Sequence, residues 1–155
     1  MVDSAPRERS ILISIDESEN AQRAVDYVGR LVGNLPGFTV TLVSILEEPN
    51  QDILPSPDER DAYIQKQKKC LEAVLSQARD RLLSHGLDDS SVRIKIHQRL
   101  CENIAHCILD EQRLGEYGTL VVGRRGLSKS EEFLFGSVSQ KLVTYANNCT
   151  VWVVE

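Results

Sequence analysis

Ile11-Leu12-Ile13-Ser14-Ile15-Asp16 is a nearly continuous apolar run that ends on a carboxylate. A half-exposed strand alternates apolar and polar residues, whereas a strand covered on both faces is apolar throughout. The run therefore predicts a strand between two layers. The next segment changes period. Ala21, Ala24, Val25, Val28, Leu31 and Val32 recur at spacings of three and four, which makes one face of a helix. Ser18 stands where its cap belongs, and Gly33-Asn34-Leu35-Pro36-Gly37 supplies the breakers that end it. Val40-Thr41-Leu42-Val43-Ser44-Ile45-Leu46 then reads as a second strand.

The alternation continues to the end. Glu47 to Pro55 is irregular and reads as a connector, with a mobile loop over a site as the alternative. Ser56-Pro57-Asp58-Glu59 is a helix start with a capping box. Tyr63, Gln67, Cys70, Leu71, Val74, Leu75, Ala78 and Leu82 mark the buried face of the long helix that follows, and Gly86 suits a left-handed residue after it. Val92-Arg93-Ile94-Lys95-Ile96-His97 alternates and predicts a strand at a sheet edge. A helix over about 101–114, the short strand Thr119-Leu120-Val121-Val122-Gly123, a helix from Ser137 to about Asn147 and the strand Thr150-Val151-Trp152-Val153-Val154 complete the chain. Strands separated by helices imply a mostly parallel sheet with helices on both faces. The 155 residues suit one domain, 1–155, with a flexible tail over 1–9.

Composition narrows the function. A net charge of -5 argues against a broad nucleic-acid footprint, and 5% aromatics leaves few rings to stack on bases. No apolar run approaches the roughly 20 residues of a membrane span, and the opening residues do not read as a secretory signal. The cytoplasm is the expected compartment. The four cysteines include no Cys-x-x-Cys pair, and a chain of this length does not need disulfides. Cys70 and Cys107 fall on apolar faces and are expected in the core.

Ligands of such sheets collect beyond the carboxyl ends of the strands, where strand order reverses. The loops there contain neither a Rossmann Gly-x-Gly-x-x-Gly nor a P-loop Gly-Lys-Ser/Thr. A receiver-domain reading fails because His97-Gln98 stands where its second Asp belongs, and because the chain ends at Glu155 without its lysine. The loop after the fourth strand differs. Gly123-Arg124-Arg125-Gly126 is followed, after nine residues, by Gly136-Ser137-Val138-Ser139 at the start of the last helix. Glycines admit close backbone approach. Successive N–H groups and a helix N-terminus favour an anion, and Ser137 and Ser139 add hydroxyls. Ser137 with Gln140 is also a capping box that needs no ligand, so both readings stand.

The spacing of Gly123, Gly126, Gly136 and Ser137 resembles the nucleotide-binding signature of the universal stress protein family. The resemblance extends to the opening strand with Asp16, to Thr41-Leu42-Val43-Ser44-Ile45 and to the ending Cys149-Thr150-Val151-Trp152-Val153-Val154. It implies an α/β flavodoxin-like fold, similar to adenine nucleotide alpha hydrolases, with a five-stranded parallel sheet in the order 3-2-1-4-5. It implies binding of ATP, or of AMP or ADP, with Mg²⁺ accompanying the nucleotide. By the same resemblance Ser14 and Asp16 lie near the adenosine. Ile45 and Val122 form an adenine wall, Gly123 and Gly126 bring the backbone close, and Gly136, Ser137, Val138 and Ser139 hold phosphates. Arg124 and Arg125 read either as cations near the site or as surface charge. The implied role is a regulatory stress-response module with little or no ATP hydrolysis. It would act as a homodimer joined through Val151–Val154, with a protein partner that the sequence does not name and with no nucleic-acid or membrane partner. Trp152 reads as a dimer anchor or as core. The family's Gly-x-Pro before the third helix is replaced by Arg99-Leu100-Cys101, and its usual His before Ile45 is replaced by Ser44.

A metal site among His97, Cys101, His106 and Cys107 is disfavoured, because positions 101, 106 and 107 do not share a helix face.

Overall fold

The computed structural model describes residues 6–98, 102–124 and 137–155. Five strands, β1 (Ser10–Ser14), β2 (Thr39–Leu46), β3 (Val92–Gln98), β4 (Thr119–Gly123) and β5 (Thr150–Val154), alternate with four helices. These are α1 (Glu19–Val32), α2 (Pro57–Ser84), α3 (Ile104–Leu114) and α4 (Ser137–Tyr145). All neighbouring strands run parallel, in the order β3-β2-β1-β4-β5. The expected fold and strand order are both present.

The apolar run that opens the chain is explained by its two faces. Ile11 and Ile13 point to one side, where they pack with Val25 and Val28 of α1 and with Leu75 and Leu82 of α2. Leu12 points to the other side and packs with Ile108 of α3 and Leu142 of α4. Each such side chain, fully buried, contributes about 1.5–3 kcal/mol, so β1 is the spine of both cores. Register carries the pattern across the sheet: Leu12 pairs with Thr41 and with Leu120, and Ile13 with Leu42 and Val121.

Helix starts follow the capping chemistry. Ser18 Oγ accepts from the Ala21 N–H at 3.3 Å, and Ser56 Oγ accepts from the Glu59 N–H at 3.5 Å. The third helix begins later than the expected position 101. Asn103 takes an extended conformation and its Oδ1 accepts from the His106 N–H at 3.0 Å, so the cap sits at 103. Gly86 has φ +108, the left-handed residue expected after α2. At the end of the Glu47 to Pro55 stretch, Arg60 Nη1 donates to the carbonyls of Leu54 at 2.9 Å and Pro55 at 3.1 Å, tying that end to the first turn of α2.

Four expectations are corrected. Residues 7–9, assigned to the flexible tail, form a 3-10 turn that lies against Gly118, whose N–H donates to the Arg7 carbonyl at 3.1 Å. A Cβ at Gly118 would come within 2.3 Å of that oxygen, so the glycine admits the contact. Tyr63 and Cys70, assigned to the buried face of α2, are exposed, and burial on that helix begins at Leu71. Cys107 is buried as expected, but it is disulfide-bonded.

Both sheet edges are as expected. In β3, Val92 and His97 are buried while Arg93, Ile94 and Lys95 are exposed. β5 is partly buried along its length after Thr150. Trp152 packs against the α1 side of the core and meets the Tyr27 ring edge-on at 6.0 Å.

Candidate functional site

Strand order reverses between β1 and β4, and a cavity of about 530 Å³ opens beyond their carboxyl ends. This is where an open parallel sheet takes ligands. Seven of the expected site residues line it: Ser14, Asp16, Ile45, Val122, Gly123, Val138 and Ser139. They come from four separate elements and the β1–α1 turn, so only the fold brings them together. Gly126, Gly136 and Arg125 lie outside the described residues.

Each wall has a local cause. Ile15 ends β1 with its N–H donating to the Val43 carbonyl at 2.8 Å. Its own carbonyl accepts from the buried Ser44 hydroxyl at 2.8 Å. Ser44 thus fixes the turn into Asp16. Asp16 Oδ1 in turn accepts from the Ser18 N–H at 2.9 Å and from the Ser18 hydroxyl. The β1–α1 turn is therefore a set of local hydrogen bonds that aims residues 16–18 at the cavity.

Gly123 has a structural reason distinct from the one expected. A Cβ there would lie 2.5 Å from the backbone C and O of Asn20 and 2.8 Å from the Ala21 nitrogen. Its bare Cα lets the first turn of α1 rest on the end of β4, and Asn20 Nδ2 donates to the Arg124 carbonyl at the same junction. Arg124 does not line the cavity. Its N–H donates to the Val154 carbonyl at 2.6 Å and its guanidinium pairs with Glu155 at 3.2 Å, so it extends the β4–β5 ladder. Ser137 borders a smaller neighbouring cavity with Val138, Ile104 and Lys141.

Six wall residues were given no binding role from sequence: Ile15, Glu17, Ser18, Gln67, Leu71 and Ile104. Glu17 and Ile15 adjoin Asp16 and follow from the strand-end rule. Gln67 and Leu71 reach the cavity from α2, and Ile104 from the first position of α3. Nothing local marks them, because helical periodicity reports burial and not what lies opposite.

The described wall is apolar on Ile15, Ile45, Leu71, Ile104, Val122 and Val138, with hydroxyls from Ser14, Ser18 and Ser139 and carboxylates from Asp16 and Glu17. Apolar flats with a few placed polar groups suit a planar, hydrogen-bonding ligand. The carboxylates can accept from sugar hydroxyls, and a helix N-terminus such as the start of α4 can take an anion.

Beside the cavity, His97 pairs in register with Ile45. Its Nδ1 lies 2.9 Å from Glu111 Oε2, and Lys95 Nζ reaches Glu111 Oε1. Glu111 is buried, which alone would raise its pKa. Hydrogen bonds from Lys95 and His97, with their charges, outweigh that and hold it below the ordinary value.

The family model of the universal stress protein family matches residues 8–155. No curated protein sequence matches the chain. Among solved structures, the chain resembles the universal stress protein UspA from Lactobacillus plantarum with TM-score 0.73 at 16% identity, covering 97% of this chain and 99% of that one. It resembles a universal stress protein in complex with cAMP with TM-score 0.70 at 21% identity, covering 94% and 96%. It resembles the universal stress protein from Archaeoglobus fulgidus in complex with dAMP with TM-score 0.61 at 21% identity, covering 94% and 97%. Among the described residues, no helix is long and apolar enough to cross a membrane. The match over almost the whole length, together with the strand order and the cavity at its reversal, places this chain in the universal stress protein family.

Proposed function

We propose that this chain binds an adenine nucleotide, ATP or its di- or monophosphate, in the cavity between β1 and β4 and acts as a nucleotide-responsive regulatory module. The observation that carries the reading is the convergence of Ser14, Asp16, Ile45, Val122, Val138 and Ser139 on one cavity at the strand-order reversal. The base would lie against Ile45 and Val122, the ribose near Asp16, and the phosphates toward Ser137–Ser139 at the start of α4. Family relatives bound to cAMP and dAMP support the adenine preference. Mg²⁺ would arrive with the phosphates. Asp16 and Glu17 are carboxylates of the kind it takes, which fits its preference for oxygen ligands and retained waters. The partner surface would be the β5 edge, where a second copy satisfies the outward backbone groups across a two-fold axis.

The test is equilibrium calorimetry with ATP, ADP, AMP and GTP on the parent chain and on Val122→Trp, which fills the base pocket. Saturable binding of the adenine series, weakened in Val122→Trp and weaker for GTP, is expected. No binding of any adenine nucleotide by a folded parent sinks the reading.

A further inference from the structure

A groove lies between α3 and α4, outside the cavity just described. Its volume is about 560 Å³, and Asn103, His106, Leu109 and Gln112 of the α3 segment face Lys141 and Tyr145 of α4 across it. It connects to the nucleotide cavity through a third, smaller one of about 240 Å³. That passage shares Ile104 and Val138 with the nucleotide cavity, and Asn103 and Lys141 with the groove. The three are neighbours that share walls in a row. From Val138 to Tyr145 the row follows α4 for about 10 Å at the helical rise of 1.5 Å per residue.

The groove's chemistry changes along its length. At the junction stands Lys141, a cation that forms no ion pair among the described residues. At the far end, the Tyr145 ring is 69% exposed, and Leu109 gives an apolar floor continuous with the core. Amides stand at both ends, Asn103 at the junction beside Lys141 and Gln112 further along α3. Asn103 uses its oxygen to cap α3, which leaves its NH₂ to donate. Gln112 is fully buried and its Nε2 donates to the Tyr117 carbonyl at 2.9 Å. Its Oε1, however, is buried with no hydrogen-bond partner. An orphaned buried carbonyl forgoes the hydrogen bond it would make to water, so the groove beside it has an unmet demand for a donor.

A cation and an amide donor at the junction, then an aromatic face and one unsatisfied amide carbonyl, match a phosphate chain followed by a second nucleobase. We propose that the α3–α4 groove receives the second nucleoside of a dinucleoside polyphosphate, whose first adenosine occupies the β1–β4 cavity. This rests on the nucleotide reading above. Lys141 would meet the phosphate chain. Glu47 and Glu102 border the same passage, so the chain enters as its Mg²⁺ complex. Tyr145 would stack on the second base, Gln112 Oε1 would accept from its polar edge, and Asn103 would donate to the phosphate chain beside Lys141.

Calorimetry with Mg²⁺ present compares ATP with P1,P4-di(adenosine-5′) tetraphosphate, on the parent and on Tyr145→Ala. Tyr145 is exposed at the helix end, so this variant folds. Two identical ends give the longer ligand a twofold statistical advantage. Base–aromatic stacking adds roughly five- to a hundredfold. The parent is expected to prefer the tetraphosphate by more than twofold, and Tyr145→Ala to reduce the preference to about twofold with ATP affinity unchanged. ATP binding without that preference, or a preference that survives Tyr145→Ala, overturns the second-nucleoside site and leaves the nucleotide reading intact. Binding of neither ligand overturns both.

Discussion

His97 Nδ1 sits 2.9 Å from Glu111 Oε2, and both side chains are buried. The pair fastens the edge strand β3 to α3, the helix whose first residue lines the ligand cavity. Lys95 completes it from the solvent side.

Replacing Glu111 by Gln should lower stability by about 1.5–3 kcal/mol, the range for hydrogen bonds to charged groups. The folded value of Glu111 lies below its ordinary 4.5. Its contribution is therefore complete above that value and is lost as pH falls through the lower folded one. Urea unfolding of parent and Glu111→Gln across acid pH should show the two converging as pH drops. A gap that stays constant down to the acid limit contradicts this account.

Gly29 faces the His85 ring. A Cβ there would lie 2.4 Å from Cδ2, while His85 Nε2 is 3.2 Å from Asp26 and Arg81 Nη1 is 2.7 Å from the same carboxylate. Gly29→Ala should destabilise by about 1–3 kcal/mol through overpacking. Adding His85→Ala should recover part of that loss, because the two nearest ring atoms leave while the His85 Cβ stays at 2.9 Å. Additive losses in the double mutant, measured by denaturant midpoint, would show that the ring is not the obstacle.

Gly123→Ala meets backbone rather than a movable ring, with Asn20 C and O at 2.5 Å. It should cost at least as much as Gly29→Ala and should have no single-residue rescue. It should also shift α1 off β4 and weaken nucleotide binding. Thermal unfolding and calorimetry on one preparation check both; wild-type values for each would mean the junction is slack.

The β5 edge allows a test of the dimer. The Thr150 N–H donates to the Gly118 carbonyl and the Val154 carbonyl accepts from Arg124. Alternation then turns the backbone groups of Val151 and Val153 away from β4. Val153→Pro removes an outward N–H while sparing the β4–β5 ladder. Sedimentation velocity should find the parent dimeric and Val153→Pro monomeric with unchanged secondary structure. A monomeric parent, or a dimer indifferent to the proline, rejects the β5 interface.

What could be read from sequence was whatever depends on local pattern. Ile11 to Asp16 announced a doubly covered strand because its two faces are both apolar. Ser18, Ser56 and Gly86 announced helix ends through chemistry confined to a few bonds. Asp16 followed from the rule that ligands gather beyond strand ends, while Ile45 and Val122 came from the family resemblance. The rest depends on partners distant in sequence. Gly123 looked like a glycine serving a ligand, and its Cβ space is in fact taken by Asn20. Arg124 looked like a site cation, and its charge is met by Glu155. His97 and Glu111 lie on different elements, so neither residue alone signals the other. Gln67, Leu71 and Ile104 sit on helices whose rotation about the sheet, not their periodicity, turns them to the cavity.

Helix α2 carries no buried residue before Leu71, yet Gln67 and Leu71 form part of the cavity wall. The stretch just before the helix's buried face thus borders the cavity through Gln67. Local opening there needs little apolar surface to be re-exposed, so its amides sit at the low end of the protein's opening energies. A ligand resting on Gln67 and Leu71 would close those openings, and the signal would run outward along residues 57–70 as slowed amide exchange. Occupancy would then be legible on the surface as a change in stiffness, with no domain having to move.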